Sequence, residues 1–155
     1  MTRVILLDTG PLGQVTHPRM QPQIGEWLRV LKQNSIALRV PEIADYELRR
    51  ELLRSGKQKS IERLNKLGES CLIPLTPQTM QKAAELWAWV RNQGQPTASK
   101  DSLDGDVILI AQAIMEITSF EQVVVTTTNL NHLSRFSSKG ITILDWEEAL
   151  SEMSY

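Results

Sequence analysis

Acidic side chains stand at the ends of apolar segments, where an α/β protein can assemble a site. Asp8 follows the apolar run at residues 4–7, and Asp104 and Asp106 precede the apolar run at residues 107–111. Carboxylates that end a buried strand or begin a buried helix lie where open parallel sheets bind ligands. Hard oxygen ligands without a neighbouring His or Cys favour Mg²⁺ or Mn²⁺ over zinc, so we expect a site for one of these ions.

Glu47 and Asn129 extend this acidic constellation. Glu47 borders the core-facing stripe of a predicted helix, because Ile43 and Ala44 precede it by one turn. An acid there needs a partner, which can be an Arg as well as a metal. Singly, these residues have ordinary explanations as turn formers, helix N-caps or first-turn acids. Together, carboxylates held close keep their charge most easily when a cation lies between them.

Candidates for metal-free catalysis are weak. His17 lies in a Pro-flanked loop and His132 in a turn, and no Ser or Cys shows a supporting triad. A bound Mg²⁺ or Mn²⁺ can lower the pKa of a water, orient it toward a phosphodiester and neutralise charge on the phosphoryl oxygens. We therefore expect phosphodiester hydrolysis carried by metal.

The hydrophobic pattern predicts a single α/β domain over residues 1–155. Apolar, β-branched runs predict strands, and the segments between them have helical periodicity. Nearly continuous Val, Ile and Leu in the strands indicates a five-stranded, mainly parallel sheet in a three-layer α/β/α sandwich. The irregular segment 93–103 is expected to form a flap beside the site. The predicted strands are 4–7, 36–40, 71–75, 123–127 and 141–144, and the predicted helices are 24–32, 41–54, 60–67, 77–92, 107–117 and 146–153.

Composition limits the compartment and the partners. No apolar stretch approaches the roughly 20 residues that span a bilayer, and the N-terminal run is too short for a signal peptide, so we expect a cytoplasmic protein. The lone Cys71 excludes an internal disulfide. The net charge of −1 gives no global attraction to nucleic acid, but residues 49–66 carry seven Lys or Arg against two Glu. That segment is either a solvated helix face or a local phosphate-binding patch.

Four segments in order resemble PIN-domain nucleases, the group that includes VapC-type toxins. They are Val4-Ile5-Leu6-Leu7-Asp8-Thr9, Tyr46-Glu47-Leu48-Arg49-Arg50, the block from Asp104 to Ala113, and Val125-Thr126-Thr127-Thr128-Asn129 followed by His132-Leu133. The resemblance covers nearly the whole chain. It implies a five-stranded parallel sheet, an acidic cluster that binds Mg²⁺ or Mn²⁺, and endonucleolytic cleavage of RNA.

The resemblance also assigns roles to single residues. Asp8, Glu47 and Asp106 match the catalytic, metal-binding acids of the family, and Asp104 matches a position that is often acidic and can assist. Asn129 falls where many members have a fourth acid, and its neutral amide favours one tightly held ion with a second recruited by RNA. Residues expected to support the site are Thr9 and Thr127, which can hydrogen-bond the ligands, and Arg49, Arg50 and Arg54, which can face phosphates.

Partners and competing functions follow from the same resemblance. It implies RNA as substrate, a small antitoxin that blocks the acidic cleft, and a homodimer. The alternative is a PIN-fold module that binds RNA or a protein with little turnover. Asp8-Thr9-Gly10 also occurs in aspartic proteases, but their all-β fold conflicts with the helical segments here. Haloacid dehalogenase-type phosphatases need an Asp where this chain has Gly10.

Overall fold

The computed structural model describes residues 2–94 and 100–152, which form one parallel sheet between layers of helices. The sheet has the order β3-β2-β1-β4-β5, and every neighbouring pair is parallel. This confirms the predicted three-layer α/β/α sandwich and makes the sheet wholly parallel. The strands are β1 (Arg3–Leu7), β2 (Ala37–Pro41), β3 (Leu72–Ile73), β4 (Gln122–Thr127) and β5 (Thr142–Asp145).

Helices connect the strands and cover both faces of the sheet. They are α1 (Thr9–Val15), α2 (Pro22–Gln33), α3 (Glu42–Arg54), α4 (Gln58–Cys71), α5 (Pro77–Asn92), α6 (Lys100–Met115), α7 (Leu130–Leu133) and α8 (Trp146–Ser151), with a 3-10 helix at Ser134–Lys139 between α7 and β5. Among the described residues, no helix combines the length and hydropathy needed to cross a bilayer.

The central strand β1 joins the two halves of the core. Its side chains alternate between the faces, so Val4 and Leu6 pack with α5 and α6, whereas Ile5 and Leu7 pack with α1, α2 and α8. All four residues are fully buried. A strand segment covered on both faces has no position for a polar side chain, which is why the strand is continuously apolar between Arg3 and Asp8.

The structure differs from the predicted elements at α1, β3, α6 and the short helices over residues 130–139, which no predicted element covered. Helix α1 begins directly after Asp8 although its sequence contains Gly10, Pro11 and Gly13, which are poor helix formers. The Asp8 side chain stabilises this helix by accepting the Thr9 N–H. Strand β3 is only two residues long, because Cys71 ends α4 instead of beginning the strand.

Helix α6 begins earlier than predicted and includes part of the predicted flap. Residues 100–103, which were assigned to the flap, form the first turn of α6. Gln93 is the C-cap of α5 and is followed by Gly94. The rest of the flap prediction, at residues 95–99, lies outside the described residues, as does residue 153 at the predicted end of the last helix.

A fully buried glutamine joins α6 to the other half of the site. The Gln112 Oε1 accepts the backbone N–H of Ile43 at 3.1 Å, and its Nε2 donates to the carbonyl of Ile73 at 2.8 Å. Helix α3 has no side-chain cap at Pro41, so Gln112 satisfies one of the N–H groups at its first turn. The position of α3 relative to α6 therefore depends on this side chain.

Replacing Gln112 by Leu should destabilise the protein. The substitution leaves the Ile43 N–H and the Ile73 carbonyl buried without partners, and each unsatisfied group costs about 1–3 kcal/mol. We expect urea unfolding to show a loss of roughly 2–4 kcal/mol in the free energy of unfolding. Gln81→Leu on the exposed side of α5 is the matched control and should stay within about 0.5 kcal/mol of wild type. Equal stabilities for the two variants would contradict this role of Gln112.

Candidate active site

Three carboxylates predicted to form the site line one cleft. The cleft has a volume of about 370 Å³ and lies beyond the carboxyl ends of β1 and β4. Asp8 comes from the end of β1, Glu47 from α3 and Asp106 from α6. The connection after β1 leads to β2 on one side, and the connection after β4 leads to β5 on the other. The edge where connections separate in this way is the usual ligand position in an open parallel sheet. Asn129, which follows β4, also lines the cleft.

Asp8 is held by hydrogen bonds to both carboxylate oxygens. Its Oδ1 accepts the Thr9 N–H at 2.8 Å, and its Oδ2 accepts the Thr127 hydroxyl at 2.8 Å. The Thr127 hydroxyl oxygen in turn accepts the Asn129 N–H at 2.8 Å. Burial raises the pKa of Asp8, and the bonds from Thr127 and Thr9 oppose that rise because they favour the charged form.

Glu47 reaches the same cleft by packing against α6. The Thr9 hydroxyl donates to Glu47 Oε1 at 3.0 Å, so Thr9 links the first two acids. A Cβ atom at Gly105 would lie 2.7 Å from Glu47 Oε2, so a larger residue at this position would require the Glu47 carboxylate to move. Burial raises the pKa of Glu47, the Thr9 bond opposes it, and the nearby charge of Asp8 raises it further.

Among the three acids, Asp106 has the most strongly raised pKa. Its pKa is raised to about 7, mainly by burial and then by the negative charges of Asp8 and Glu47, while Arg135 opposes the rise. The Nδ1 atom of His132 lies 3.9 Å from Asp106 Oδ2. These shifts mean that the three acids repel one another, as expected for carboxylates gathered at a functional site.

His132 and Arg135 are site neighbours that the sequence did not assign. His132 lines the cleft from α7, and Arg135 lies close enough to lower the pKa of Asp106. Both follow Asn129 within two turns, so the short helices after β4 carry a histidine and an arginine to the acidic edge. The signal was weak because α7 has four residues and shows no helical period of its own.

The oxygen atoms in the cleft are of the kind that binds a hard cation, although the side chains that carry them do not converge on one point. In residues 2–94 and 100–152, no three His, Cys, Asp or Glu side chains are close enough together to hold an ion as they stand. The cleft nevertheless offers carboxylate oxygens from Asp8, Glu47 and Asp106 and the amide of Asn129. Oxygen donors of this kind suit Mg²⁺ or Mn²⁺, and enclosing the ion requires the side chains to rotate toward each other.

Asp104 does not belong to this cleft. It is exposed and lines a separate groove of about 400 Å³ between α5 and α6, together with Met80 and Trp87. Helix α6 already begins at Lys100, so Asp104 is neither its N-cap nor a strand-edge residue. Positions 104 and 106 are two residues apart on a helix and point in different directions, so the structure places Asp104 outside the cleft that Asp106 lines.

Only one of the predicted phosphate-binding arginines reaches the cleft. Arg50 lines it, with the guanidinium carbon 5.0 Å from the centre of the Tyr46 ring. Arg49 is paired with both carboxylate oxygens of Asp45, at 2.9 and 3.1 Å, and also donates to Asn65. Arg54 is paired with Glu51 on the exposed side of α3. The ion pairs of Arg49 and Arg54 explain why the sequence pattern overestimated the basic contribution at the cleft.

Comparisons with known proteins identify the fold. No protein-family model matches the chain, and a comparison with curated proteins finds no match. Among solved structures, a chain of the VapBC2 complex from Rickettsia felis, bound to a DNA fragment from their promoter, superposes with a TM-score of 0.70. The match has 15% identity and covers 92% of this chain and 98% of that one.

A second solved structure supports the same assignment. A chain of VapBC-1 from nontypeable Haemophilus influenzae superposes with a TM-score of 0.57 and 16% identity, covering 93% of this chain and 98% of that one. At identities this low, the superpositions establish the shared fold alone, and the activity has to be argued from the site. The chain therefore has the VapC-like PIN fold, with its acidic cleft at the carboxyl edge of the sheet.

Proposed function

We propose that this protein is a Mg²⁺- or Mn²⁺-dependent endoribonuclease. The observation that carries the proposal is the meeting of Asp8, Glu47 and Asp106 in one cleft at the carboxyl ends of β1 and β4. The charges of Asp8 and Glu47 both raise the pKa of Asp106. A cation between the carboxylates relieves that repulsion, which gives the cluster a reason to bind one.

Each residue of the cleft has a separate task in this proposal. Asp8, Glu47 and Asp106 hold the ion, and the Asn129 amide supplies a neutral oxygen beside them. When bound, the ion supplies an activated water and neutralises charge on the phosphoryl oxygens. Thr9 and Thr127, which bind no metal in this proposal, orient the carboxylates through hydrogen bonds.

The cleft also offers hydrogen-bond donors to the RNA. Arg50 lies exposed at its mouth, where the guanidinium can contact a phosphate on one side of the scissile bond. His132 lies on the opposite wall, next to Asp106, and can donate a hydrogen bond to a phosphate oxygen. Contacts of this kind place the strand without reading its sequence.

We further propose that the protein is the toxin of a toxin–antitoxin pair. Two of its structural neighbours are VapBC complexes, and each match extends over nearly the whole chain. In this proposal a small antitoxin covers the cleft and inserts an Arg among the carboxylates, where a bidentate ion pair replaces the metal charge.

A binding module with little turnover is the second candidate. Two observations favour it: the neutral Asn129 in the cleft, and the lack of any convergent group of three metal ligands among the described residues. It differs from the nuclease proposal in one measurable respect, because it requires RNA or protein binding without metal-dependent cleavage.

Removal of single carboxylates tests the catalytic cleft. Asp8→Asn and Asp106→Asn should each reduce Mn²⁺-dependent cleavage of end-labelled RNA by at least about a hundredfold, more than loss of an outer hydrogen bond would cause. Both should also weaken Mn²⁺ binding in calorimetry while keeping the far-UV circular dichroism spectrum of wild type. EDTA should abolish cleavage by wild type.

Asp104→Asn is the matched control for these variants. It removes the same charge from the same helix as Asp106→Asn but lies outside the cleft, so cleavage and Mn²⁺ affinity should remain near wild type. Persistent cleavage by both Asp8→Asn and Asp106→Asn would refute the cleft as the catalytic site. RNA binding by wild type without any cleavage would favour the binding-module alternative.

The raised pKa of Asp106 predicts a pH-dependent cost in the metal-free protein. The folded carboxyl keeps its proton up to about pH 7, whereas in the unfolded chain it ionises near its usual value of 3.8. The folded state thus binds more protons between these values, and stability falls as the pH rises through that range. In EDTA, Asp106→Asn should therefore melt above wild type at pH 8 and show a smaller advantage at pH 5.

The same measurement with metal should reverse the trend. Metal ligands must be ionised, so Mn²⁺ should stabilise wild type more at pH 8 than at pH 6. Asp104→Asn serves again as the control, because its exposed side chain lies away from the other acids. A melting advantage of Asp106→Asn that does not change between pH 5 and pH 8 would contradict the raised pKa of Asp106.

A further inference from the structure

A second pocket adjoins the acidic cleft along the groove between α1 and α3. Its volume is about 610 Å³. Helix α1 contributes Gly10 to the cleft and Gly13 to the pocket, and α3 contributes Leu48 to the cleft and Leu52 to the pocket. Since Leu48 and Leu52 are one helical turn apart, the two sites are separated by roughly 6 Å along α3. They follow one another along the same groove.

The lining of this basic pocket is cationic. His17, Arg19, Lys57 and Lys59 all line it and are exposed, and no Asp or Glu does so among the described residues. Within residues 2–94 and 100–152, the side chains of Arg19, Lys57 and Lys59 make no ion pair. They contrast with Arg49 and Arg54, whose charges are already paired within α3.

A nearly buried serine in the wall of the basic pocket presents its hydroxyl to the pocket. Ser60 lines the basic pocket and is only 7% exposed. Within the described parts of the chain, its hydroxyl makes no hydrogen bond. Among the described residues, the buried side-chain polar atom without a partner is Trp27 Nε1, so the Ser60 hydroxyl is accessible from the pocket, where it can donate to a bound group.

The backbone adds donors at the same place. The 14-residue helix α4 begins at Gln58, and Lys57 at its N-cap position provides no side-chain cap. The first-turn N–H groups of a helix point toward its N-terminus and favour an anion there. His17 adds one more donor, because its Nδ1 accepts the Arg19 N–H at 3.0 Å and the ring proton of the neutral form is therefore on Nε2.

We propose that the basic pocket formed by His17, Arg19, Lys57, Lys59 and Ser60 binds a phosphate group of the RNA strand whose neighbouring phosphodiester enters the acidic cleft. This inference rests on the proposed nuclease function. It assigns to the pocket the role that the sequence gave to Arg49 and Arg54, namely holding the substrate backbone beside the metal site.

Charge and continuity favour a phosphate over a protein carboxylate. An extended strand presents a negative charge at every nucleotide, so a strand in the cleft places further phosphates along the α1–α3 groove. The acids of the cleft repel a polyanion, and the chain as a whole carries a net charge of −1. Binding therefore needs a separate cationic anchor close to the cleft, and the pocket lies one turn away.

RNA binding without metal tests the proposal directly. We would measure fluorescence anisotropy of a short, fluorescein-labelled single-stranded RNA in EDTA for wild type, Lys57→Ala/Lys59→Ala and Ser60→Ala. The double variant should bind about tenfold more weakly at moderate salt, and the slope of log K against log salt should decrease by about 0.7 per lost phosphate contact. Ser60→Ala should bind roughly threefold more weakly, as for one lost hydrogen bond.

Two controls separate a specific site from general effects. Lys32→Ala/Lys82→Ala removes the same charge from α2 and α5, away from the groove, and should bind RNA within about twofold of wild type. Ser60→Ala should keep the melting temperature of wild type, because its hydroxyl makes no hydrogen bond that the substitution could remove.

The outcomes distinguish this proposal from the nuclease proposal. Wild-type affinity in both pocket variants, or an equal loss in the Lys32/Lys82 control, would overturn the pocket. So would displacement of RNA from wild type by polyglutamate as effectively as by unlabelled RNA, since the pocket would then accept carboxylates. If the pocket variants lose RNA while wild type never cleaves it, the pocket stands and the nuclease proposal fails.

Discussion

The hydrogen bonds of Gln112 determine how the two halves of the acidic cleft face each other. Gln112 bonds the first turn of α3 and the end of β3 from inside the core. Helix α3 carries Glu47, and α6 carries both Gln112 and Asp106. A single buried amide thus ties the helix of the second acid to the helix of the third. Gly105 then lets the Glu47 carboxylate approach α6 closely.

The cleft is built against the ordinary preferences of its own side chains. Burial is the largest cause of the raised pKa of Asp8, Glu47 and Asp106, and like charges add to it for Glu47 and Asp106. A structure selected only for stability would replace such acids by neutral residues or pair them with Arg. Local strain of this kind, supported by a regular fold, is characteristic of functional sites.

The three-layer architecture and the acidic edge of the sheet could be predicted from the sequence because they depend on short-range patterns. Apolar runs mark buried strands, and the connection of parallel strands brings their carboxyl ends to one edge, so Asp8, Glu47 and Asp106 could be placed together. The start of α6 was missed, since the apolar run that marks this helix begins only at Val107, and Asp104 was therefore put in the cleft. Likewise, Gly10 and Pro11 concealed α1.

The contacts of individual side chains were the least predictable feature of the structure. Nothing in the order of residues says that Arg49 pairs with Asp45 and Asn65, or that Ser60 faces a pocket without a partner. Such contacts depend on which helix faces pack, which is settled only by the assembled core.

The bond between Asp8 and Thr127 joins residues 119 positions apart. During synthesis on the ribosome, β1 emerges early but has β4 as a neighbour only after residues 122–127 have been added. Until then, one edge of β1 is open and its terminal carboxylate lacks the threonine that holds it. Long-range parallel pairing is slow to form, and a nascent chain that stops short of β4 cannot build the cleft.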